Sequence, residues 1–167
     1  MLSLQITSMK TFMSKLLTSQ VFDIFLLEEA SIQTATLFTI DGHIKPEFDP
    51  LSERTAENIP YSLLPWNDAK GICFQLIKGK YTPLFFKIVL QLKPEKQEEL
   101  LKRESLFKKD SPLKALEMTI KYDGSKATIT TGTSYHTFVM SKEPDSIWDK
   151  ALLRFLSMQE IPYENLT

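Results

Sequence analysis

Apolar residues recur at helical spacing in three parts of the chain. Met9, Phe12, Met13, Leu16 and Leu17 follow the i, i+3, i+4, i+7, i+8 rule, and Ser8 stands at the cap position, so an amphipathic helix is expected at about 8–18. Ala69, Ile72, Cys73, Leu76 and Ile77 repeat that spacing at an offset of sixty residues, in a second helix opening at Asn67 or Asp68. After Pro144 and Asp145, the stripe Ile147, Trp148, Ala151, Leu152, Phe155, Leu156 predicts a C-terminal helix. Between these, Pro94 to about Lys109 reads as a charged surface helix with its proline in the first turn.

Runs rich in β-branched and aromatic residues predict strands over Phe22–Ile32, Thr36–Ile44 and Phe85–Leu92, with a turn signal at Asp41-Gly42. Leu116, Met118, Ile120 and Tyr122 alternate as a half-buried strand must. Asp123-Gly124 then turns the chain into Ala127, Ile129 and Thr131, which predicts a hairpin. A further strand is expected from Tyr135 to Met140. Pro46, Pro50, Pro60 and Pro65 make 45–66 a long proline-rich loop.

Helices and meandering strands in this order predict the α+β class, with antiparallel sheet packed by helices. The sixty-residue offset extends to Phe25-Leu26 and Phe85-Phe86, so one domain over 1–167 is expected, carrying an internal duplication with units 1–44 and 67–140. In pattern alone this is similar to one half of a DNA sliding clamp, itself a duplicated helix-and-sheet unit. That likeness concerns architecture and says nothing of activity.

The length of 167 residues suits one core, and 43% hydrophobic with 25% charged residues is an ordinary globular balance, away from the disordered regime. Cys73 is the only cysteine, so no intrachain disulfide forms. The N-terminal residues lack a signal-peptide pattern, and no apolar run is long enough to span a membrane; the expected setting is the cytoplasm. Residues 78–126 hold twelve Lys/Arg against seven Asp/Glu, a net of +5, while the remainder carries −6. Glu95, Glu98, Glu99 and Glu104 interrupt that basic excess, which disfavours nucleic acid as a partner.

Several segments together resemble a family of proteins of unknown function, found mainly in anaerobic Gram-positive bacteria of the clostridial group. They are Phe25-Leu26-Leu27-Glu28-Glu29-Ala30 with Phe38-Thr39-Ile40-Asp41-Gly42, Leu76 through Leu84, and Tyr122-Asp123-Gly124 with Thr130-Thr131-Gly132-Thr133-Ser134; Trp148-Asp149 and Ile161-Pro162 also fit. The resemblance spans nearly the whole chain and implies a bacterial cytoplasmic protein. It carries over no catalytic residue.

No convergent set of acids, bases or metal ligands stands out, so no catalytic residue, metal site or cofactor is assigned. His43 and His136 lack zinc spacings, and no Gly-x-Ser-x-Gly elbow accompanies Asp41 and His43. Cys73 shares an apolar helix face and reads as a small buried hydrophobe. Glu28 and Glu29 are adjacent on a strand and point to opposite faces; either one, if buried, becomes the best acid-base candidate. Lys78, Lys80 and Thr82, together with Thr131, Thr133 and Ser134, are the candidate ligand-binding residues, since ammonium groups, hydroxyls and a flexible backbone suit an anion. The structural alternatives are a left-handed helix cap at Gly79 and a strand break or bulge at Gly132. The expected function is a non-catalytic binding or interaction domain with a protein partner or a small anionic ligand. The alternatives are a small-molecule or phosphoester-handling enzyme and a nucleic-acid-associated clamp-like protein.

Overall fold

Alternation of side chains along the strands sorts the chain into a face that carries the core and a face that stays polar. The computed structural model describes residues 1–45 and 61–167. In chain order the elements are β1 (Ser3–Ile6), α1 (Met9–Thr18), β2 (Phe25–Gln33), β3 (Leu37–Asp41), β4 (Leu64–Pro65) and α2 (Trp66–Ile77). These are followed by β5 (Phe85–Leu92), α3 (Pro94–Arg103), β6 (Leu113–Tyr122), β7 (Ala127–Tyr135), α4 (Glu143–Met158) and β8 (Tyr163–Asn165). All pairings are antiparallel, in the order β3-β2-β5-β6-β7-β1-β8, with β4 against β2. Among the described residues the α+β class is therefore that of an eight-stranded antiparallel sheet packed by four helices.

One rung of the sheet runs Leu27, Leu90, Met118, Thr131, all buried, and the next runs Leu26, Gln91, Glu117, Gly132 on the other face. Phe86, Ile88 and Leu116 extend the first face, against which α1, α2 and α4 lie. Trp66 Nε1 donates to Leu16 O at 2.9 Å, tying α2 to α1. Phe22 meets Phe12 and Phe155 edge to face with ring centres 5.9 and 5.4 Å apart, and Phe25 lies 6.3 Å from Trp148. Each buried aromatic ring adds a large apolar area to this otherwise mostly aliphatic core. The opposite face carries Lys87, Gln91, Glu117, Thr119, Lys121, Thr130 and Ser134, half-buried or exposed.

Several boundaries differ from the sequence pattern for identifiable reasons. β1 and β8 were not expected: Leu2, Leu4 and Ile6 are buried in alternation with Ser3 and Gln5, but the run is too short to stand out beside the helix that follows. β7 ends at Tyr135, so the strand expected over Tyr135 to Met140 is a loop after its first residue, with Phe138 91% and Met140 83% exposed. β propensity there finds no neighbouring strand to pair with. Helix α3 stops at Arg103, short of Lys109, and Ser105 adopts a left-handed φ of 60° after it. Gly79 has no left-handed conformation; the backbone N–H of Lys78 returns to Phe74 O and ends α2. Gly132 sits in continuous register opposite Glu117, and the irregularity in this pair falls at Leu113/Ala115.

In α2 the buried residues are Trp66, Ala69, Cys73 and Ile77, whereas Ile72 is 55% exposed; its counterpart at the sixty-residue offset, Phe12, is fully buried. The two helices thus bury different faces. Asp41-Gly42 closes no hairpin among the described residues. Gly42 instead receives the chain at close range: a Cβ there would lie 1.8 Å from Leu27 O. Most of the proline-rich stretch, 46–60, lies outside the described residues, and 61–65 supplies β4.

Candidate ligand-binding cleft

Strand β7 points Thr131, Thr133 and Tyr135 toward the helical layer, because residues at i, i+2 and i+4 share one side of a strand. Helix α4 crosses above them and places Asp145 and Asp149, one turn apart, on the facing side. Pro144 in the first turn fixes the helix start, and Glu143 and Asp145 suit the positive end of its dipole. Trp148 Nε1 donates to Glu117 O at 2.7 Å and locks this half of α4 onto β6.

The hydroxyls and carboxylates meet pairwise. Thr131 Oγ1 donates to Asp149 Oδ1 at 2.5 Å and accepts from Leu2 N at 2.8 Å. Thr131 is 4% exposed and is the one buried polar residue among those described, so both bonds are needed to satisfy it. Thr133 Oγ1 donates to Asp145 Oδ1 at 2.6 Å, and Tyr135 Oη donates to the same oxygen at 2.9 Å. Burial pushes the Tyr135 phenol up, and the Asp145 carboxylate adds to this against a lowering by Thr133. Each carboxylate therefore spends Oδ1 on hydroxyl donors. Oδ2 of Asp145 faces Lys142 Nζ at 4.0 Å and Oδ2 of Asp149 faces Met1 N at 3.7 Å, both beyond hydrogen-bond reach.

These groups form the floor of a cavity of about 670 Å³, walled by Trp148 and by the 136–142 segment with exposed Phe138 at its lip. A site with carboxylate oxygens at the bottom and aromatic edges above suits a positive group attached to an apolar body.

The structure brings together only some of the candidate residues read from the sequence. Thr131 and Thr133 lie in the cleft, but their hydroxyl protons are committed to carboxylates, and an anion entering here meets Asp145 and Asp149. Ser134 lies on the opposite sheet face, its buried Oγ without a hydrogen-bond partner among the described residues. Lys78, Lys80 and Thr82 are exposed in the connection from α2 to β5. That connection is held at the far end of the sheet, where Leu84 N donates to Gln33 O and Leu84 O approaches Gly124. Phe86, Tyr122 and Ala127 form the rung beside it, and Thr131 lies four residues farther along β7, about 13 Å at the strand rise. The lysines and the threonine segment do not share a site.

Asp145, Asp149, Tyr135 and Trp148 were missed as site residues. Their signal in the sequence is hydroxyls at i, i+2, i+4 on a strand followed by carboxylates at i, i+4 on a helix, which becomes meaningful only when the helix folds back over that strand.

A second polar cluster lies on the opposite face. The β2 bulge at Leu27/Glu29 half-buries Glu28, while Glu29 is exposed and pairs with Lys87 at 3.3 Å. Gln91 Nε2 donates to Glu28 Oε2 at 3.1 Å and reaches Glu117 Oε1 at 3.5 Å. Burial pushes the Glu117 carboxyl up, and the charge of Glu28 pushes it further, against lowering by Lys114. His43 and Asp41 are exposed, 2.6 Å apart, and the His43 backbone N–H is the main group holding the Asp41 carboxyl low. No group of three or more His, Cys, Asp or Glu among the described residues is arranged to hold a metal ion, and no described helix is long and apolar enough to cross a membrane.

No curated protein and no solved structure matches the chain. A family model of unknown function matches residues 15–164, nearly the whole length that carries the fold and the cleft, and the chain accordingly belongs to the DUF5721 family.

Proposed function

We propose that this protein is a non-catalytic binding domain whose β7–α4 cleft takes a ligand with a cationic head and an apolar body. One observation carries the reading: Thr131, Thr133 and Tyr135 all donate into Oδ1 of Asp145 or Asp149, so that both Oδ2 atoms, at the base of an aromatic-walled cavity, face positive groups, Lys142 Nζ at 4.0 Å and the Met1 ammonium at 3.7 Å. The hydroxyls orient the carboxylates, so a cationic head has only to displace the Lys142 and Met1 ammonium groups that face their Oδ2 atoms. A cytoplasmic setting in an anaerobic clostridial bacterium is part of the same proposal, supported by the single buried thiol and by the segment resemblance.

The reading is tested by titrating phenethylamine and arginine amide against phenylpropionate, with tryptophan fluorescence and thermal unfolding as readouts. At about one hundred times its dissociation constant, a ligand adds about 2.7 kcal/mol, roughly 5–11 °C for a chain of this size. The cations are expected to bind and the carboxylate to be rejected, and Asp145→Asn with Asp149→Asn is expected to abolish binding while preserving the hydroxyl contacts. Equal binding of phenylpropionate, or undiminished cation affinity in the Asn variant, refutes the assignment.

A further inference from the structure

The polar face of the sheet carries a second cavity, of about 530 Å³, at the end where α3 follows β5. Leu26 and Ala115 form its floor, both 3% exposed and both outside the main core, and α3 contributes a wall with Pro94, Gln97 and Leu101 at helical spacing. Another wall is basic: Lys108 and Lys109 come from the connection between α3 and β6, Lys114 from β6 and His136 from the end of β7. Backbone ties hold this wall in place. Ser111 N donates to Lys108 O at 3.1 Å, closing a turn around the two lysines, Leu113 N donates to Ser111 Oγ at 3.2 Å, and His136 N donates to Pro112 O at 2.8 Å. The β6–β7 register shifts between Leu113 and Ala115, which face Tyr135 and Ser134, so Lys114 is the extra residue of a bulge. Leu113 packs into the main core and Ala115 into the floor of this cavity, and Lys114 between them is turned to the lining. Re-aiming a side chain beside a site is what bulges commonly do.

Positive charge here is not balanced locally. Glu98 is the carboxylate on the lining, and Lys102 Nζ already neutralises it at 3.0 Å; Asp110, in the lysine turn, is not part of the lining. Lys108, Lys109 and Lys114 enter no ion pair among the described residues, and Lys114 acts on the Glu117 carboxyl only at longer range. Three ammonium groups need an anion of more than one charge to balance them, which favours a phosphate dianion over a carboxylate. Ser111 accepts from Leu113 N and keeps its own O–H to donate. The apolar floor, with Tyr61 and Phe107 also on the lining, gives the rest of the ligand a surface, and the volume is that of a small-molecule site. We infer that this cavity is a second binding site, for a small phosphomonoester whose phosphate lies among Lys108, Lys109 and Lys114 and whose apolar body covers Leu26 and Ala115. It goes beyond the cationic cleft, with which it shares only His136.

The test titrates the full chain with phenyl phosphate, benzoate and a single-stranded DNA hexamer lacking terminal phosphates. Calorimetry gives affinity, and the methyl resonances of Leu26 and Ala115 report the place of binding. Phenyl phosphate is expected to bind once per chain and to shift both methyls, benzoate to bind about tenfold more weakly or worse, and the hexamer not to displace phenyl phosphate. Lys108→Ala and Lys114→Ala, both at exposed positions, are each expected to weaken phenyl phosphate about tenfold or more. Lys78→Ala with Lys80→Ala, at the far end of the sheet, is expected to change nothing. Absence of saturable phenyl phosphate binding overturns the site, as does an equal loss in the Lys78 and Lys80 variant or a complex that leaves both methyls unshifted. Equal affinity for benzoate overturns the phosphate assignment, and tighter binding of the hexamer overturns the small ligand in favour of nucleic acid. Phenethylamine is expected to bind Lys114→Ala as it binds the parent, so loss of the phosphate site and loss of the cationic cleft are read separately.

Discussion

Thr131 is the residue on which the β1–β7–α4 junction turns, and Thr131→Val removes its hydroxyl at nearly constant volume. The Leu2 N–H then keeps no acceptor in a buried position, a loss of about 1–3 kcal/mol. Asp149 loses a charge-assisted donor, nominally about 1.5–3 kcal/mol, but it is partly exposed and water recovers much of this. The combined expectation is about 2–4 kcal/mol, or roughly 5–15 °C in Tm for a chain of this length. Urea unfolding followed by circular dichroism, with an unchanged m-value, gives the free energy, and scanning calorimetry gives Tm. Thr131→Ser keeps the hydroxyl and loses one methyl, so it is expected to cost only about 1 kcal/mol. If Thr131→Val stays within about 0.5 kcal/mol of the parent, or if serine is as damaging as valine, the hydroxyl bridge is not what holds the junction.

Other positions give independent checks. The folded chain holds the Glu117 proton more tightly than the unfolded chain, so this group's contribution is complete below the unfolded value of 4.5 and is lost as pH rises through the raised folded value. Glu117→Gln is expected to flatten the fall in stability from pH 4.5 upward in denaturant titrations at several pH values, and an unchanged slope would contradict a Glu117 carboxyl raised by burial and by the charge of Glu28. Gly42→Ala drives a Cβ into Leu27 O and is expected to destabilise by about 3 kcal/mol or more in urea unfolding, with a neutral result excluding the close approach. Burial pushes the Cys73 thiol up to about 11, so a thiol-specific disulfide reagent at mildly alkaline pH is expected to leave the folded protein unmodified and to react fully in guanidinium. Rapid labelling of native protein would show that α2 does not bury this side chain.

The pattern of apolar residues alone determined where the long elements lie. Phe85–Leu92 and the Leu116–Thr131 hairpin follow from period-two alternation, and α1 and α4 follow from stripes at helical spacing, because burying one side of each element is a local requirement that the residues themselves encode. The same local signals misplace Tyr135–Met140, whose β propensity meets no partner strand, and pass over β1 and β8, which are strands only because β7 and each other are there to pair with. The cleft was legible in part. Thr131 and Thr133 stood out as a dense set of hydroxyls, but a hydroxyl donates or accepts according to what faces it, and both donate to carboxylates because α4 carries Asp145 and Asp149 over β7. Distance along the chain likewise concealed that Lys78, Lys80 and Thr82 lie near the far end of the strands from Thr131. Side-chain periodicity is written residue by residue; which helix crosses which strand, and hence the charge at the floor of the cleft, is decided only when the whole sheet closes over one core.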